Sequence, residues 1–355
     1  MRIAISTGGG DAPGLNAVIR AAVLTAVHRG WECFGVKRGF GSLLGEAALV
    51  PLGPNEVRGI THLGGTILGT SSRGNPLTSR VQRPDGTWEE HDRSDELIAA
   101  FRAHRLDALI AIGGEGTLGI VLGLWKKGLP VVGVPKTIDN DVGGTVATFG
   151  FDTAVATATD AIDKVHSTAE SHERVMVVEV MGRHAGFIAL NAGIAGSADV
   201  ILIPEIPFDI DKVCAKIRSR EAEGRHFSVV VAAEGAVPKG GTVSLIDPAH
   251  ERLGGIGDKV AHSIEAMTGK ETRTLVLGHL QRGGSPTTFD RLLGLRFGAA
   301  AIRLVAARQF GMMVALQPPS IVPVPLEEAV AKPRRVALDS DTITTARDLG
   351  ISLGD

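Results

Sequence analysis

Tyrosine is absent from this chain, aromatic residues make up only 4%, and 355 residues contain just two cysteines. Cys33 and Cys214 cannot build a disulfide framework, and no Cys-x-x-Cys or Cys/His spacing offers a zinc site. Buried free thiols in a reducing compartment are the expectation. No apolar run approaches the roughly 18–20 residues of a membrane span, and a strand-like run follows Met1 directly, so neither an anchor nor a leader peptide is expected. Charge of one sign is missing too. With 37 Lys and Arg against 39 Asp and Glu, a net charge of -2 excludes a basic face for nucleic acid or for a membrane surface. These absences leave a cytoplasmic globular protein whose length suits two domains, at roughly 100–200 residues each.

Glycine is what the chain has in excess, with 46 residues. The glycines cluster directly after apolar, β-branched runs: Gly8-Gly9-Gly10 after Ile3-Ala4-Ile5, then Gly64-Gly65, then Gly113-Gly114 and Gly116 after Ala108–Ile112, then Gly283-Gly284 after Leu275-Val276-Leu277. Glycine at the carboxyl end of a buried strand lets backbone approach a ligand, and in open α/β sheets ligands bind along that edge. Apolar runs at 2–6, 106–112, 131–134, 175–180, 228–233 and 274–277 read as parallel strands. Helical periodicity at 15–29, 153–167 and 210–222 alternates with them. The fold class is therefore α/β, with helices on both faces of a mostly parallel sheet. Gly143-Gly144 is a candidate boundary, residues 72–95 read as a hairpin or excursion, and the proline-rich, then charged, tail after Gln317 reads as a weakly packed arm.

Three loops carry the chemistry. Gly8 to Asn16 runs from a strand through glycines and Pro13 into a helix, a place for phosphate at bare N–H groups; a plain strand-to-helix turn is the alternative. It is neither a dinucleotide fingerprint, since Pro13 replaces the third glycine, nor a Walker loop. Gly114-Glu115-Gly116-Thr117-Leu118-Gly119 does match G-x-G-x-x-G, with Asp139 about 20 residues on, and alone would suggest a nicotinamide-dependent dehydrogenase. That acid sits within a loop rather than at a strand end, and the first loop would be left without a role. In the third loop, 134–141, Asp139 and Asp141 at i and i+2 fall on one side of an extended segment. One can accept a proton from a hydroxyl while the other helps hold Mg²⁺, with Lys136 and Thr137 for phosphate oxygens; a surface turn is the alternative. A basic set follows at strand ends and glycine turns: Arg174, Arg183, His184, Arg273, His279 and Arg282. Glu234 ends a strand, where it suits either sugar hydroxyls or a salt bridge.

Side by side, GGGDAPGLNAVIR (8–20), GGTILGT (64–70), IGGEGT (112–117), VPKTIDND (134–141), SHERVMVVEVMGRHAG (171–186), AAEGA (232–236) and LGHLQRGGSPTTFDR (277–291) resemble the phosphofructokinase family, in family order. The resemblance implies two similar three-layer α/β/α, Rossmann-like domains with the active site in the cleft between them. Residues 1–150 plus 281–330 would bind the phosphoryl donor, and 151–280 plus 331–349 the sugar phosphate. It implies a 6-phosphofructokinase acting on fructose 6-phosphate with ATP and Mg²⁺. Asp139 would be the base, Arg183 would stabilise transferring charge and Thr137 would contact the phosphoryl group. Gly10, Arg73, Glu115, Gly116, Thr117 and Lys136 would face the donor, with Glu115 and Asp141 near the metal. Met181, Gly182, Glu234 and His279 would hold the sugar. Arg174, Arg273 and Arg282 would grip its 6-phosphate, the first two donated by a neighbouring subunit, which implies a homo-oligomer, a dimer or tetramer.

The chain also departs from the family. Glu115 stands where many relatives have Asp. Gly116 goes with ATP, where Asp goes with pyrophosphate, yet Lys136 is typical of pyrophosphate users; Gly116 weighs more, because an added carboxylate would clash with and repel an α-phosphate. A pyrophosphate-dependent phosphotransferase is the alternative, a non-catalytic sugar-phosphate sensor a remoter one. Leu24 and His166 replace effector-site arginines, although Arg20, Glu205 and Arg225 resemble retained positions, so the resemblance implies a weak or absent response to ADP or phosphoenolpyruvate. Without tyrosine, an apolar or arginine-lined adenine pocket is expected.

Overall fold

The computed structural model describes residues 1–45, 47–71, 74–83, 85–247 and 252–355. The chain separates into two compact units, one of Met1–Ile138, Val142–Asp152 and Arg282–Pro333, the other of Asp139–Asp141, Thr153–Gln281 and Arg334–Asp355.

The first unit contains β1 (Arg2–Thr7), α1 (Leu15–Val27), β2 (Glu32–Val36), β3 (Val50–Leu52), the hairpin β4 (Ser79–Gln82) and β5 (Trp88–His91), α2 (Ser94–Ala103), β6 (Ala108–Gly113), α3 (Glu115–Lys126), β7 (Val131–Thr137) and β8 (Phe149–Gly150). After α4 (Phe151–His172) the second unit holds β9 (Val175–Val180), α5 (Phe187–Ala195), β10 (Val200–Leu202), α6 (Ile210–Ala222), β11 (Ser228–Ala233), β12 (Leu245–Asp247), β13 (Arg252–Leu253), α7 (Ile256–Thr268) and β14 (Thr272–Val276). The chain then returns to the first unit with α8 (Thr288–Ala306), β15 (Met312–Gln317), β16 (Ser320–Pro325) and α9 (Leu326–Ala331), and ends in the second with α10 (Asp341–Asp348).

Strand alternation builds three layers in the first unit. Ile3 and Ile5, Ala108, Ile110 and Ile112, and Val132 and Val134 join one core with Leu15, Val18 and Ile19 of α1 and Phe297, Ala301 and Val305 of α8. Ala4, Leu109, Ala111 and Val131 point the other way, into a core with α2, α3 and α9. Because both faces are covered, the central strands are apolar throughout, which is why they read as continuous runs. The sheet order is β16-β15-β7-β6-β1-β2-β3, with β8 beside β7. Pairing is parallel except at the two edges, β2–β3 and β15–β16. The return to this unit is locked by glycine. A Cβ on Gly298 of α8 would lie 2.3 Å from the Val18 carbonyl oxygen, and one on Gly294 3.1 Å from that of Gly14, so α1 and α8 cross with backbones nearly touching.

The second unit has the smaller sheet, β10-β11-β9-β14, entirely parallel. One face packs on α6 and α7 through Val175, Val177, Val230, Val213, Ile217, Val260 and Ile264. On the other lies α5, whose Gly193 backs directly onto Ile201. Both cysteines are buried and free, and burial pushes the Cys33 thiol up to about 12. Among the described residues, no helix is long and apolar enough to cross a membrane.

Two expectations need correction. The tail after Gln317 is not a weak arm: β16 zips antiparallel onto β15 along its whole length, and the last residues dress the edge of the second sheet. There Ile201 donates its N–H to the Ser352 carbonyl at 2.9 Å, Ser352 donates to Asp199 at 3.0 Å, and Leu353 is buried. The segment with Asp139 and Asp141 is also not extended. Asn140 has φ 55, which turns the chain into a bend, so the two-residue alternation that would place both carboxylates on one side does not apply.

Candidate active site

In parallel sheets the strand carboxyl ends share one edge, and the chain's glycine clusters collect there. In the first unit the Gly8 N–H donates to the Ile112 carbonyl at 2.9 Å and the Gly9 N–H to Ser71 at 3.0 Å, while Thr70 Oγ1 donates to the Gly9 carbonyl at 2.5 Å. Two of the three expected bare amides are thus engaged internally, and Gly10 is the member of the triplet that is exposed. Glycine is required here by crowding. A Cβ on Gly113 would fall 2.3 Å from Thr117 Cβ, and one on Gly64 2.3 Å from the Gly284 carbonyl oxygen. Asn16, buried at the start of α1, organises the second cluster by donating to the carbonyls of Leu63 and Gly64 (3.1 and 3.2 Å) and accepting from the Ile67 N–H (2.9 Å). Arg282 folds over the first loop and donates from Nη1 to the Asp11 carbonyl at 3.1 Å. The buried Lys136 donates from Nζ to the Gly10 carbonyl.

Beside these loops lies a cavity of about 310 Å³ lined by Gly8, Gly9, Phe40, Gly116, Thr117 and Ile120, among others. The N-terminus of α3 opens on it: its N-cap is Gly114, and among the described residues no side chain caps it and nothing lies within 4 Å of a Cβ added to Gly116 in its first turn. Unsatisfied N–H groups and the positive end of the helix dipole favour an anion at this end, while Phe40 and Ile120 supply apolar wall. Glu115, half-buried, is the first residue of α3. Thr137 is the buried last residue of β7. Arg73 lies outside the described residues.

In the second unit, β9 delivers Met181, Gly182 and Arg183 at its carboxyl end and β11 delivers Glu234 beside them. The Glu234 N–H donates to the Val180 carbonyl at 2.8 Å and the Gly235 N–H to Gly182 at 3.1 Å, stitching the two loops together. The fit is close: a Cβ on Gly235 would lie 2.1 Å from the Arg183 carbonyl oxygen. Gly235→Ala should therefore lower stability by roughly 1–3 kcal/mol, seen as a fall in Tm by calorimetry, because the obstacle is backbone. Exposed His279 follows β14 at the same edge of the sheet.

Arg174 and Arg273 are elsewhere. Arg174 immediately precedes β9, and Arg273 is the second residue of β14, so both sit at strand amino ends. The six residues of β9 lie between Arg174 and Met181, seven steps of parallel strand or about 23 Å. Glu271, which the sequence reading did not single out, joins the two arginines. It lies 2.8 Å from Arg174 Nε and also pairs with Arg273, and the hydrogen bond from Arg174 holds its carboxyl below the usual carboxylate range. The effector-type positions belong to both units. Arg20 donates to the Val57 carbonyl at 2.7 Å in the first unit. In the second, Glu205 accepts from the Gly186 and Val336 N–H groups, and Arg225 and His166 line a cavity of about 370 Å³ beside the Asp199–Arg220 ion pair.

Fold and strand-end chemistry together define an α/β protein with glycine loops and an uncapped helix N-terminus arranged for phosphate groups. The Phosphofructokinase family profile matches residues 2–305, and the chain belongs to that family. It is 54% identical over 354 residues to the ATP-dependent 6-phosphofructokinase of Chloroflexus aggregans, covering 100% of this chain and 98% of that one. It is also 49% identical over 346 residues to a pyrophosphate–fructose 6-phosphate 1-phosphotransferase of Amycolatopsis mediterranei, covering 96% and 97% of the two chains. Among solved structures, Pichia pastoris phosphofructokinase in the T-state superposes with a TM-score of 0.81 at 30% identity. The match covers 98% of this chain and 36% of that much longer one.

Proposed function

We propose that this chain is an ATP-dependent 6-phosphofructokinase, which moves the γ-phosphoryl group of ATP to the 1-hydroxyl of fructose 6-phosphate in glycolysis. The observation that carries the choice of donor is the cavity of about 310 Å³ at the uncapped end of α3. Pyrophosphate needs only the anion-binding end of such a cavity, whereas a nucleoside also uses the apolar wall of Phe40 and Ile120, where no tyrosine is available for stacking. Gly116 itself places no side chain at the entrance, and among the described residues nothing lies within 4 Å of a Cβ added there. Lys136 and the Amycolatopsis relative favour the second reading, a pyrophosphate-dependent phosphotransferase. In this chain, however, the Lys136 ammonium is tied to the Gly10 carbonyl, which makes it a strut of the donor loop, compatible with either donor.

In this reading the first unit takes the donor and the second the sugar phosphate. Asp139 removes the proton from the 1-hydroxyl, and the oxygen attacks the γ-phosphorus as the bond to the β-phosphate oxygen breaks. Arg183 meets the negative charge spread over the transferring group, and Thr137 orients it. Gly10 and Thr117 face the donor. Met181, Gly182, Glu234 and His279 hold the sugar, and Arg174, Arg273 and Arg282 its 6-phosphate. Among the described residues no three His, Cys, Asp or Glu side chains cluster as a metal cage. Glu115 and Asp141 offer the hard oxygen donors that Mg²⁺ takes one or two at a time alongside substrate phosphates. When bound there, Mg²⁺ supplies charge neutralisation of the donor phosphates. Turnover of fructose 6-phosphate with MgATP, read as ADP formed, tests the assignment; no ADP above background contradicts it.

Arg174 and Arg273 bear on assembly. Standing at the opposite edge of the sheet from Met181 and Glu234, they would complete the site of a second copy rather than their own, so the working enzyme is a homo-oligomer with shared sites. Mixing inactive Asp139→Ser and Arg273→Ala subunits, dissociated and reassembled, should restore about a quarter of wild-type activity, since half of random dimers are hybrids with one intact site of two. Activity no greater than the sum of the parents contradicts shared sites. Two buried free thiols suit the reducing cytoplasm.

A further inference from the structure

The segment by which the chain re-enters the second unit makes contacts that none of its neighbours in sequence would suggest. The Arg334 N–H donates to the carbonyl of Asp141 at 2.7 Å. Its guanidinium carbon lies 4.7 Å from the centroid of the Phe187 ring, and Phe187 is the first residue of α5, four positions after Arg183. Two residues on, the Val336 N–H donates to Glu205 Oε1 at 2.9 Å. Both oxygens of that carboxylate also accept from the Gly186 N–H, at 3.1 Å each. One short stretch of backbone therefore holds two loops at once, the Asp139–Asp141 bend and the end of the 183–187 loop.

We propose that Arg334 is a positioning residue for phosphoryl transfer, fixing the bend that carries Asp139 and the loop that carries Arg183 in one arrangement. This rests on the roles given above to Asp139 and Arg183. Helix stability does not account for the contact, because a cation beside the N-terminus of α5 opposes the helix dipole. Solvation does not favour it either: burial pulls the Arg334 guanidinium below its usual range. The flat guanidinium stacks on Phe187, a contact worth about 0.5–2 kcal/mol and dependent on its planar shape. A lysine would keep the charge and lose that shape.

The test uses full-length Arg334→Leu and Arg334→Lys, which keep the backbone N–H to Asp141 and remove or reshape only the side-chain half of the clamp. For Arg334→Leu, kcat with fructose 6-phosphate and MgATP should fall about 10–100-fold while both KM values stay within about 3-fold, the pattern of misplaced reacting groups rather than lost binding. Arg334→Lys should recover part of the loss. Independently of turnover, amide hydrogen exchange should quicken in peptides covering 139–146 and 183–190 and stay unchanged in the strands of the first unit. Wild-type kcat in Arg334→Leu, or unchanged exchange in both peptides in Arg334→Leu and Arg334→Lys, overturns the proposal. A wild-type protein that does not turn over fructose 6-phosphate sinks the kinase reading instead, and the exchange measurement then decides the clamp by itself.

Discussion

Asp139→Ser should bind fructose 6-phosphate about as tightly as the parent enzyme but turn it over about 10²–10⁴ times more slowly, the size expected when a general base is removed. The substitution is clean because the bend is held by its neighbours. Ile138, Asn140 and Val142 are buried, with 0%, 4% and 1% exposure, and the Asp141 carbonyl is anchored by Arg334. A shorter side chain at the half-buried position 139 therefore leaves the backbone in place. Equilibrium dialysis with labelled sugar phosphate and a coupled rate assay measure the two effects separately. A kcat within a factor of about ten of wild type removes Asp139 from the role of base. Loss of sugar binding in parallel with kcat shows that it serves the ground state instead.

Gly116→Asp gives the second large effect, and here fold and function move in opposite directions. Among the described residues a Cβ at Gly116 meets nothing within 4 Å, the residue is exposed, and an acid in the first turn of α3 complements the helix dipole. Tm should hold or rise slightly. The same carboxylate faces the end of the cavity assigned to the donor phosphates. A like charge at about 4 Å costs on the order of 1–4 kcal/mol between water and a protein surface, about 5-fold to 10³-fold in kcat/KM for ATP. Steady-state rates with ATP on a protein of unchanged Tm read this directly. If ATP use is undiminished, the donor phosphates do not pass by Gly116.

How far the sequence reached differs from element to element. β9, β11 and α6 are found at their expected bounds because their apolar runs are buried on both faces or keep strict helical spacing. The hairpin of β4 and β5 falls inside the excursion expected at 72–95. The glycine clusters at 8–10 and 113–116 were legible as strand-end loops, since strand sterics and phosphate access both call for glycine there, whereas Gly64-Gly65 and Gly283-Gly284 do not directly follow a strand. By contrast, β10 is three residues long, and β16 carries Pro323 and Pro325 on a sheet edge, where proline is tolerated; neither has a run long enough to announce a strand. The turn at Asn140 escaped because a positive φ at Asn leaves no mark in spacing. Asn16, Glu271 and Arg334 escaped for a shared reason. Their partners are distant in the chain or belong to a neighbouring strand, so their work appears only as contacts. Glu271 alone had a local signal, an acid two residues before Arg273. The tail was misread because its charged, proline-rich composition resembles a loose arm, while its function in the fold comes from backbone hydrogen bonds to Asp141 and Ile201 that composition does not encode.

Gly116 and Lys136 point to different phosphoryl donors, and relatives of both kinds share about half of this sequence. Turnover of fructose 6-phosphate measured side by side with MgATP and with Mg-pyrophosphate, at saturating sugar, decides between the two donors. ATP should support the reaction with kcat/KM at least about tenfold above that for pyrophosphate, a gap of about 1.4 kcal/mol in transition-state stabilisation. Turnover with pyrophosphate alone would contradict the account, and would assign the cavity beside α3 to something other than a nucleoside.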